Sequence, residues 1–262
     1  MSRLMTPTRY LAILACAATL VACSKDAVQI ISAPLSGASV KFYNFSMGAP
    51  GVNFFANDVQ LTALKSDSGA TTKSGTGYGA LAAGGLYSAV PAGQVTLTGR
   101  IGTVADAGVT IGTVAAPLVD GKYYSLFLSG TYNTTTKSTD TFLIEDAMPA
   151  FDYVNSNVRF VNAIANAPSP MVLWAKSTTV KDSVAIGGTA GIGYKGATAF
   201  VPIRGDAYDL TVRYPGSNTA VFTLAAQTFS VGRVYTVSSR GDITVTGTTA
   251  ANRPQLNNTA NR

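Results

Sequence analysis

The sequence repeats itself, and that repeat constrains the fold more than any other feature. Val40-Lys41-Phe42-Tyr43-Asn44, followed by Gly48-Ala49-Pro50 and an apolar run at 52–56, matches Val158-Arg159-Phe160-Val161-Asn162, followed by Asn166-Ala167-Pro168 and a run at 170–174. A glycine-rich loop carrying Gly77-Tyr78 corresponds to one carrying Gly193-Tyr194, and Val90-Pro91 ahead of a strand corresponds to Val201-Pro202. Gly121-Lys122-Tyr123-Tyr124, leading into Ser125-Leu126-Phe127, matches Gly232-Arg233-Val234-Tyr235, leading into Thr236-Val237-Ser238. Three ordered matches mean one structural unit used twice.

The unit itself reads as strand and turn. From Val40 onward, short runs of Val, Ile, Thr, Tyr and Phe are separated by Gly, Pro, Asn and Asp. Residues 40–44, 95–98, 123–127 and 210–213 alternate with period two, the pattern of a strand with one face buried. No helical stripe follows the N-terminal segment, and 26 glycines with a single glutamate, Glu145, disfavour helices further. Each unit then holds about seven strands, the size of a small antiparallel β-sandwich. The expected architecture is all-β: repeat 1 over 38–147, a linker over 148–156 and repeat 2 over 157–247, as two separate beads. The tail, 248–262, is polar, lacks apolar periodicity and is expected to be disordered.

These residues resemble a known family, the bacterial domain of unknown function 4397, found singly or in tandem in exported proteins and lipoproteins. The family pattern is an apolar-basic-apolar strand ending in Asn, then an Asp-Ala-Pro turn, then an alternating strand. Here the turns are Gly48-Ala49-Pro50 and Asn166-Ala167-Pro168. The later Val90-Pro91-Ala92-Gly93 turn and the Gly121-Lys122-Tyr123-Tyr124 strand start also fit. In the second strand Asn53 and Met171 replace the family's aspartate, so a role for that carboxylate does not carry over. The resemblance implies an immunoglobulin-like β-sandwich in each repeat and no defined activity.

The N-terminus points to export. Arg3 and Arg9 precede an apolar stretch, 10–21, too short to span a bilayer, which needs about twenty residues. Leu20-Val21-Ala22-Cys23 follows and resembles the lipobox of bacterial lipoproteins. Cleavage between Ala22 and Cys23 would remove a signal peptide, 1–22, and make Cys23 the lipid-bearing first residue, with 23–37 as a tether. Cys16 also follows an alanine, but cleavage there leaves too short an apolar stretch. Several acyl chains on Cys23 hold firmly where one would hold marginally. Ser24, where an aspartate would signal inner-membrane retention, favours the outer membrane. The membrane is therefore one expected partner, through the lipid; a glycan or a protein is the other.

Composition closes off much chemistry. Cys16 and Cys23 are the two cysteines and there is no histidine. Catalytic triads, Cys-His pairs and most zinc or iron sites are thereby excluded. Neither Ser-Xaa-Xaa-Lys nor Gly-Xaa-Ser-Xaa-Gly occurs. Glu145 and Asp146 are neighbours on a strand and point to opposite faces, unlike the facing carboxylates of a glycosidase. A net charge of +6 is scattered rather than clustered. The densest basic segment, 204–213, has Asp206 and Asp209 between its two arginines, so it reads as a solvated face and not as a nucleic-acid stripe. Those two aspartates lack a third carboxylate for calcium.

Gly191-Ile192-Gly193-Tyr194-Lys195-Gly196 has dinucleotide-fingerprint spacing, but a strand follows where a helix N-terminus is needed. Phe42, Phe54, Tyr124, Phe160, Trp174, Phe200 and Tyr235 fall at strand positions and read as core. Tyr78 and Tyr194, each following a glycine in the equivalent loop, are the candidate ligand-loop residues. The expected function is a non-enzymatic structural or adhesive module of the envelope, with no cofactor and no metal. A carbohydrate- or cell-wall-polymer-binding accessory protein is the alternative, and an enzyme of unrecognised type the third reading.

Overall fold

Runs rich in valine, threonine, tyrosine and phenylalanine, cut by glycine and proline, form strands throughout, and no α-helix is present among the described residues. The computed structural model describes residues 36–62, 74–103 and 105–262. The expected signal segment, with Ala22 and Cys23, and the expected tether up to residue 35 lie outside these. In the first half the strands are β1 (Ala38–Asn44), β2 (Val52–Ala56), β3 (Val59–Gln60), β4 (Ala80–Leu81), β5 (Ser88–Val90), β6 (Gly93–Ile101), β7 (Thr110–Leu118), β8 (Tyr123–Asn133) and β9 (Ser138–Glu145). In the second half they are β10 (Asn155–Asn162), β11 (Val172–Ser177), β12 (Ser183–Ile186), β13 (Val201–Arg204), β14 (Asp206–Arg213), β15 (Phe222–Phe229), β16 (Val234–Arg240) and β17 (Gln255–Ala260).

Each half is a sandwich of two sheets. In the first, the order β4-β1-β8-β9, with β5 also on β1, faces the order β3-β2-β6-β7; in the second, β13-β10-β16-β17 faces β12-β11-β14-β15. Most pairings are antiparallel, as expected. One in each half is parallel: β1 with β8 (Ser39 opposite Tyr123) and β10 with β16 (Asn157 opposite Val234). The repeat is reproduced in detail. Gly121 and Gly232 both adopt positive φ, and Tyr124 and Tyr235 each accept, at 3.1 Å, the amide N–H five residues upstream, from Val119 and Ser230. Asn44 donates its side-chain amide to the Thr76 carbonyl (2.8 Å), and Asn162 donates to that of Ile192 (3.2 Å).

The halves are not separate beads. Val40 and Phe42 pack with Val52, Phe54 and Leu97 in one core; Val158 and Phe160 pack with Leu173, Leu210 and Val212 in a second. The other faces of the same strands are buried too. Tyr43, Phe45, Phe127 and Phe142 from the first half meet Val161 and Ala163 from the second in a third cluster. Tyr43 stacks on Phe127 (4.2 Å between centroids) and Phe127 on Phe142 (4.9 Å). Four sheets therefore stack in series, and the central strands of the inner two, β1, β8, β10 and β16, are buried on both faces. The one-face reading of residues 40–44 and 123–127 is corrected accordingly: a side chain directed at another sheet alternates just as one directed at water does.

The tail is likewise corrected. Gln255–Ala260 forms β17, antiparallel to β16 from Tyr235 opposite Ala260 to Arg240 opposite Gln255. Its polar sequence suits an edge strand that buries only one large apolar side chain, Leu256, 7% exposed.

Strand registers give the molecule two unlike ends. The start of β1, the start of β8 and the end of β9 lie at one end with the start of β10, the start of β16 and the end of β17. The two halves point the same way, because Arg159 near the start of β10 reaches Ser125 near the start of β8, while Ala163 beyond β10 accepts from Ser129 far along β8 (2.6 Å). Residues 36–37 lie at the first end, where the Gly121 amide donates to the Gly37 carbonyl (2.9 Å).

Candidate functional site

Titratable groups concentrate in the seam between the halves. Lys41 and Arg159, equivalent in the repeat, are each 1% exposed and both face it. Arg159 forms an ion pair with Asp146, which is equally buried. Asp146 also accepts from Tyr87 (2.5 Å) and Ser125 (2.8 Å), and the Arg159 Nε donates to Thr236 (2.9 Å). Lys41 Nζ donates to the Ala260 carbonyl (2.7 Å) and Asn261 Oδ1 (3.1 Å) and sits over the Tyr87 ring. Glu145, on the opposite face as expected, pairs with Lys122 at the surface (2.8 Å). Asp146 is thus the sealed partner of a buried guanidinium. Every charge here is answered by a partner within the protein, and the groups are closed to substrate.

Burial lowers the Lys41 pKa to about 8, helped by the Arg159 charge and opposed by the attraction of Asp146. An unfolded lysine titrates near 10.5. Between those values the unfolded chain holds more protons, so the Lys41 contribution to stability rises with pH. From about pH 8 to pH 9.5 the unfolding free energy should climb on the order of 2 kcal/mol relative to Lys41→Met. Urea unfolding of both proteins across that range measures it; parallel profiles would contradict the burial.

Both candidate ligand-loop tyrosines turn toward the seam. The Tyr194 hydroxyl donates to Asp140 of the first half (2.9 Å), and Lys195 pairs with the same carboxylate (3.2 Å). Tyr194 packs edge-on to Phe142 (6.2 Å), and burial raises its phenol pKa. Tyr78 lies under the Arg240 guanidinium of the second half (5.0 Å), and its hydroxyl is buried with no hydrogen-bond partner. Each tyrosine thus makes a contact that joins the halves. The glycines beside them serve the loop: Gly75 and Gly191 have φ of +62° and +73° and lie against the backbone of the facing strand, where a Cβ would meet Gly51 at 2.6 Å and Met171 at 3.0 Å. This loop packs on Asn162, whose carbonyl accepts from the Lys195 amide (2.9 Å), and leads to β13 rather than to a helix.

Tyr78 keeps one side toward a groove of about 420 Å³ at the far end of the molecule. Met47, Gly48 and Thr131 line it from the first half; Asp242, Ala251 and Asn252 line it from the second. The groove therefore exists only because both halves are present. Hydrogen bonds from the Thr244 hydroxyl, the Asn166 amide and the Thr244 backbone hold Asp242 below the ordinary carboxylate range. It is an ionised acceptor at neutral pH, with no second acid beside it among the described residues that line the groove, and is equipped to bind rather than to transfer a proton.

The remaining sequence candidates sit apart. Asp206 accepts from Ser177 (2.6 Å), Thr179 (2.8 Å) and Arg204 (2.8 Å), which hold its pKa well down, while Asp209 caps the Ala226 amide (3.0 Å). Among the described residues no three His, Cys, Asp or Glu side chains come together as a metal site. Phe42, Phe54, Tyr124 and Phe160 are core; Trp174, Phe200 and Tyr235 are half-buried, the first two under Arg213 and Arg159. The groove and the seam escaped sequence reading because their residues come from distant segments.

Comparison with known proteins places the chain in a family. No curated protein matches the chain. Among solved structures, a "putative cell adhesion protein from Bacteroides ovatus ATCC 8483" aligns at 10% identity over 85% of this chain and 95% of that one, with a TM-score of 0.24. The family model described as "Domain of unknown function (DUF4397)" matches residues 38–173, from the first residue of β1 into β11, more than half of the sequence. The lysine of β1, the asparagine that ends it and the Gly-Lys strand start all fall inside that match, and the chain belongs to the DUF4397 family.

Proposed function

We propose that the protein is a lipid-anchored, non-enzymatic interaction module of the bacterial cell envelope, held in the outer membrane by acyl chains on Cys23. The observation that carries this reading is the polarity of the strands. Gly37, where the tether gives way to the body, lies at one end, and the groove shared by the halves lies at the other. A body anchored at the first end would present the groove outward. The sealed seam and the lone ionised carboxylate of the groove favour recognition over catalysis.

Detergent phase partitioning tests the anchor, because acyl chains drive a protein into the detergent phase whatever its fold. The wild type should enter that phase, and Cys23→Ser should remain aqueous. Equal partitioning of the two would refute the lipid.

A carbohydrate ligand is the second reading, favoured by an aromatic ring beside the Asp242 and Asn252 side chains, the equipment for packing on a sugar and bonding its hydroxyls. A glycan array and a peptidoglycan pull-down with the mature protein separate the two readings. Binding lost in Tyr78→Ala would support a glycan; no binding would leave a protein partner.

A further inference from the structure

We propose that the end of the body from which the tether emerges is itself a membrane contact: an apolar, aromatic surface that seats on the bilayer and holds the groove away from it. This rests on the lipid-anchor reading of Cys23 and adds a second point of attachment.

Exposed apolar side chains are distributed unevenly. Six of the ten large ones that stand exposed among the described residues lie on the loops of this end: Phe151, Tyr153 and Val154 in the link between the halves, and Val119, Val180 and Val231 on neighbouring turns. Tyr153 is 84% exposed and Val154 is 72% exposed. A soluble surface scatters such residues singly, and clustering marks an interaction site.

The link is built to present them. Asp152 accepts from the amides of Val154 (2.8 Å) and Asn155 (2.9 Å), which closes a turn and turns the flanking side chains outward. The Phe151 and Tyr153 rings pack together (4.6 Å), and Arg262 lies over Phe151 while donating to the Pro149 carbonyl (3.1 Å). Tyrosine and phenylalanine beside an arginine are interfacial residues, with apolar bodies and wet tips.

Charge specifies the occupant further. Lys122 is paired with Glu145 (2.8 Å) and Arg204 with Asp206 (2.8 Å), so this end is largely self-neutralised. Seating is therefore driven by apolar burial in the interface and not by anionic headgroups, and it should withstand salt. The bilayer is the occupant because the body begins here: from Cys23 to Ser36 the tether can reach about 45 Å when extended, so it brings this end to the membrane without fixing its angle.

The test uses the full lipidated protein in vesicles of phosphatidylethanolamine and phosphatidylglycerol. Cys23 is acylated and Cys16 is removed with the signal, so one introduced cysteine takes an environment-sensitive dye alone. A dye at Ala150→Cys, beside Phe151, should shift to the blue and be quenched by headgroup-region spin-labelled lipids, in low and high salt alike. A dye at Thr135→Cys, on the far β8–β9 turn, should do neither. Adding Phe151→Ser and Tyr153→Ser should abolish quenching at Ala150 while the protein still floats with the vesicles. Equal behaviour at the two sites overturns the proposal, as does quenching that survives the double serine variant. A dye shielded from water but not quenched by lipid, with crosslinked dimers, overturns it in favour of a second copy of the chain. Protein that carries no acyl chain by mass and does not float at all refutes the anchor instead, a separate result.

Discussion

Asp146→Ala should destabilise the protein by roughly 3–5 kcal/mol, because it strands a guanidinium in a seam closed to water. The Arg159 side chain is 2% exposed and that of Asp146 is fully buried. Without the carboxylate, Arg159 keeps contacts to the Thr236 and Ser125 hydroxyls and the Glu145 carbonyl, which supply dipoles but no charge. Tyr87 and Ser125 lose their acceptor at the same time. Replacing both partners, as Asp146→Leu with Arg159→Met, should recover most of the loss, since apolar side chains of similar size remove the charge and its desolvation together. Urea unfolding at neutral pH measures both. A single variant that loses less than about 1 kcal/mol would place the pair in water, where ion pairs are worth little.

Removing residues 255–262 should cost on the order of 5 kcal/mol or more, a large part of the 5–15 kcal/mol that holds a domain together. The deletion takes away β17, leaves the β16 edge open and removes Leu256 from the second core. It also strips buried Lys41 of both hydrogen-bond acceptors, Ala260 and Asn261, which belong to the opposite half of the chain. Damage should therefore reach the first half, seen as new proteolytic cuts around β1. A truncated protein that melts cooperatively within a few degrees of the parent would contradict this.

Both effects arise from contacts that the sequence conceals. The strands, the duplication and the cores could be read because Val40 and Phe42 alternate with period two as Val158 and Phe160 do, and because Gly121 and Gly232 mark the same turn. The seam could not. Lys41 and Arg159 occupy positions that alternate with core residues, and in one dimension a cation facing another sheet looks the same as one facing solvent. Its partners are non-local: Lys41 meets residues 219 and 220 positions away. β17 was hidden for a related reason, since Gln255-Leu256-Asn257-Asn258-Thr259-Ala260 has the composition of a loop and becomes a strand only where β16 offers an edge. Of the candidate site residues, Tyr194 reaches Asp140 of the first half and Tyr78 lies under Arg240 of the second, contacts that no local sequence pattern announces. The groove contains Tyr78, but its other walls lie up to 205 positions from Met47.

The parallel pairing of β1 with β8 has a mechanical consequence. Six residue pairs, from Ser39 with Tyr123 to Asn44 with Leu128, link the first strand of the body to the middle of its sheet. If the N-terminus is fixed and a load is applied at the far loops, tension runs along β1, at right angles to those hydrogen bonds. They would have to slide and break together rather than unzip one by one, so the strand nearest the point of attachment is also the one best placed to resist pulling.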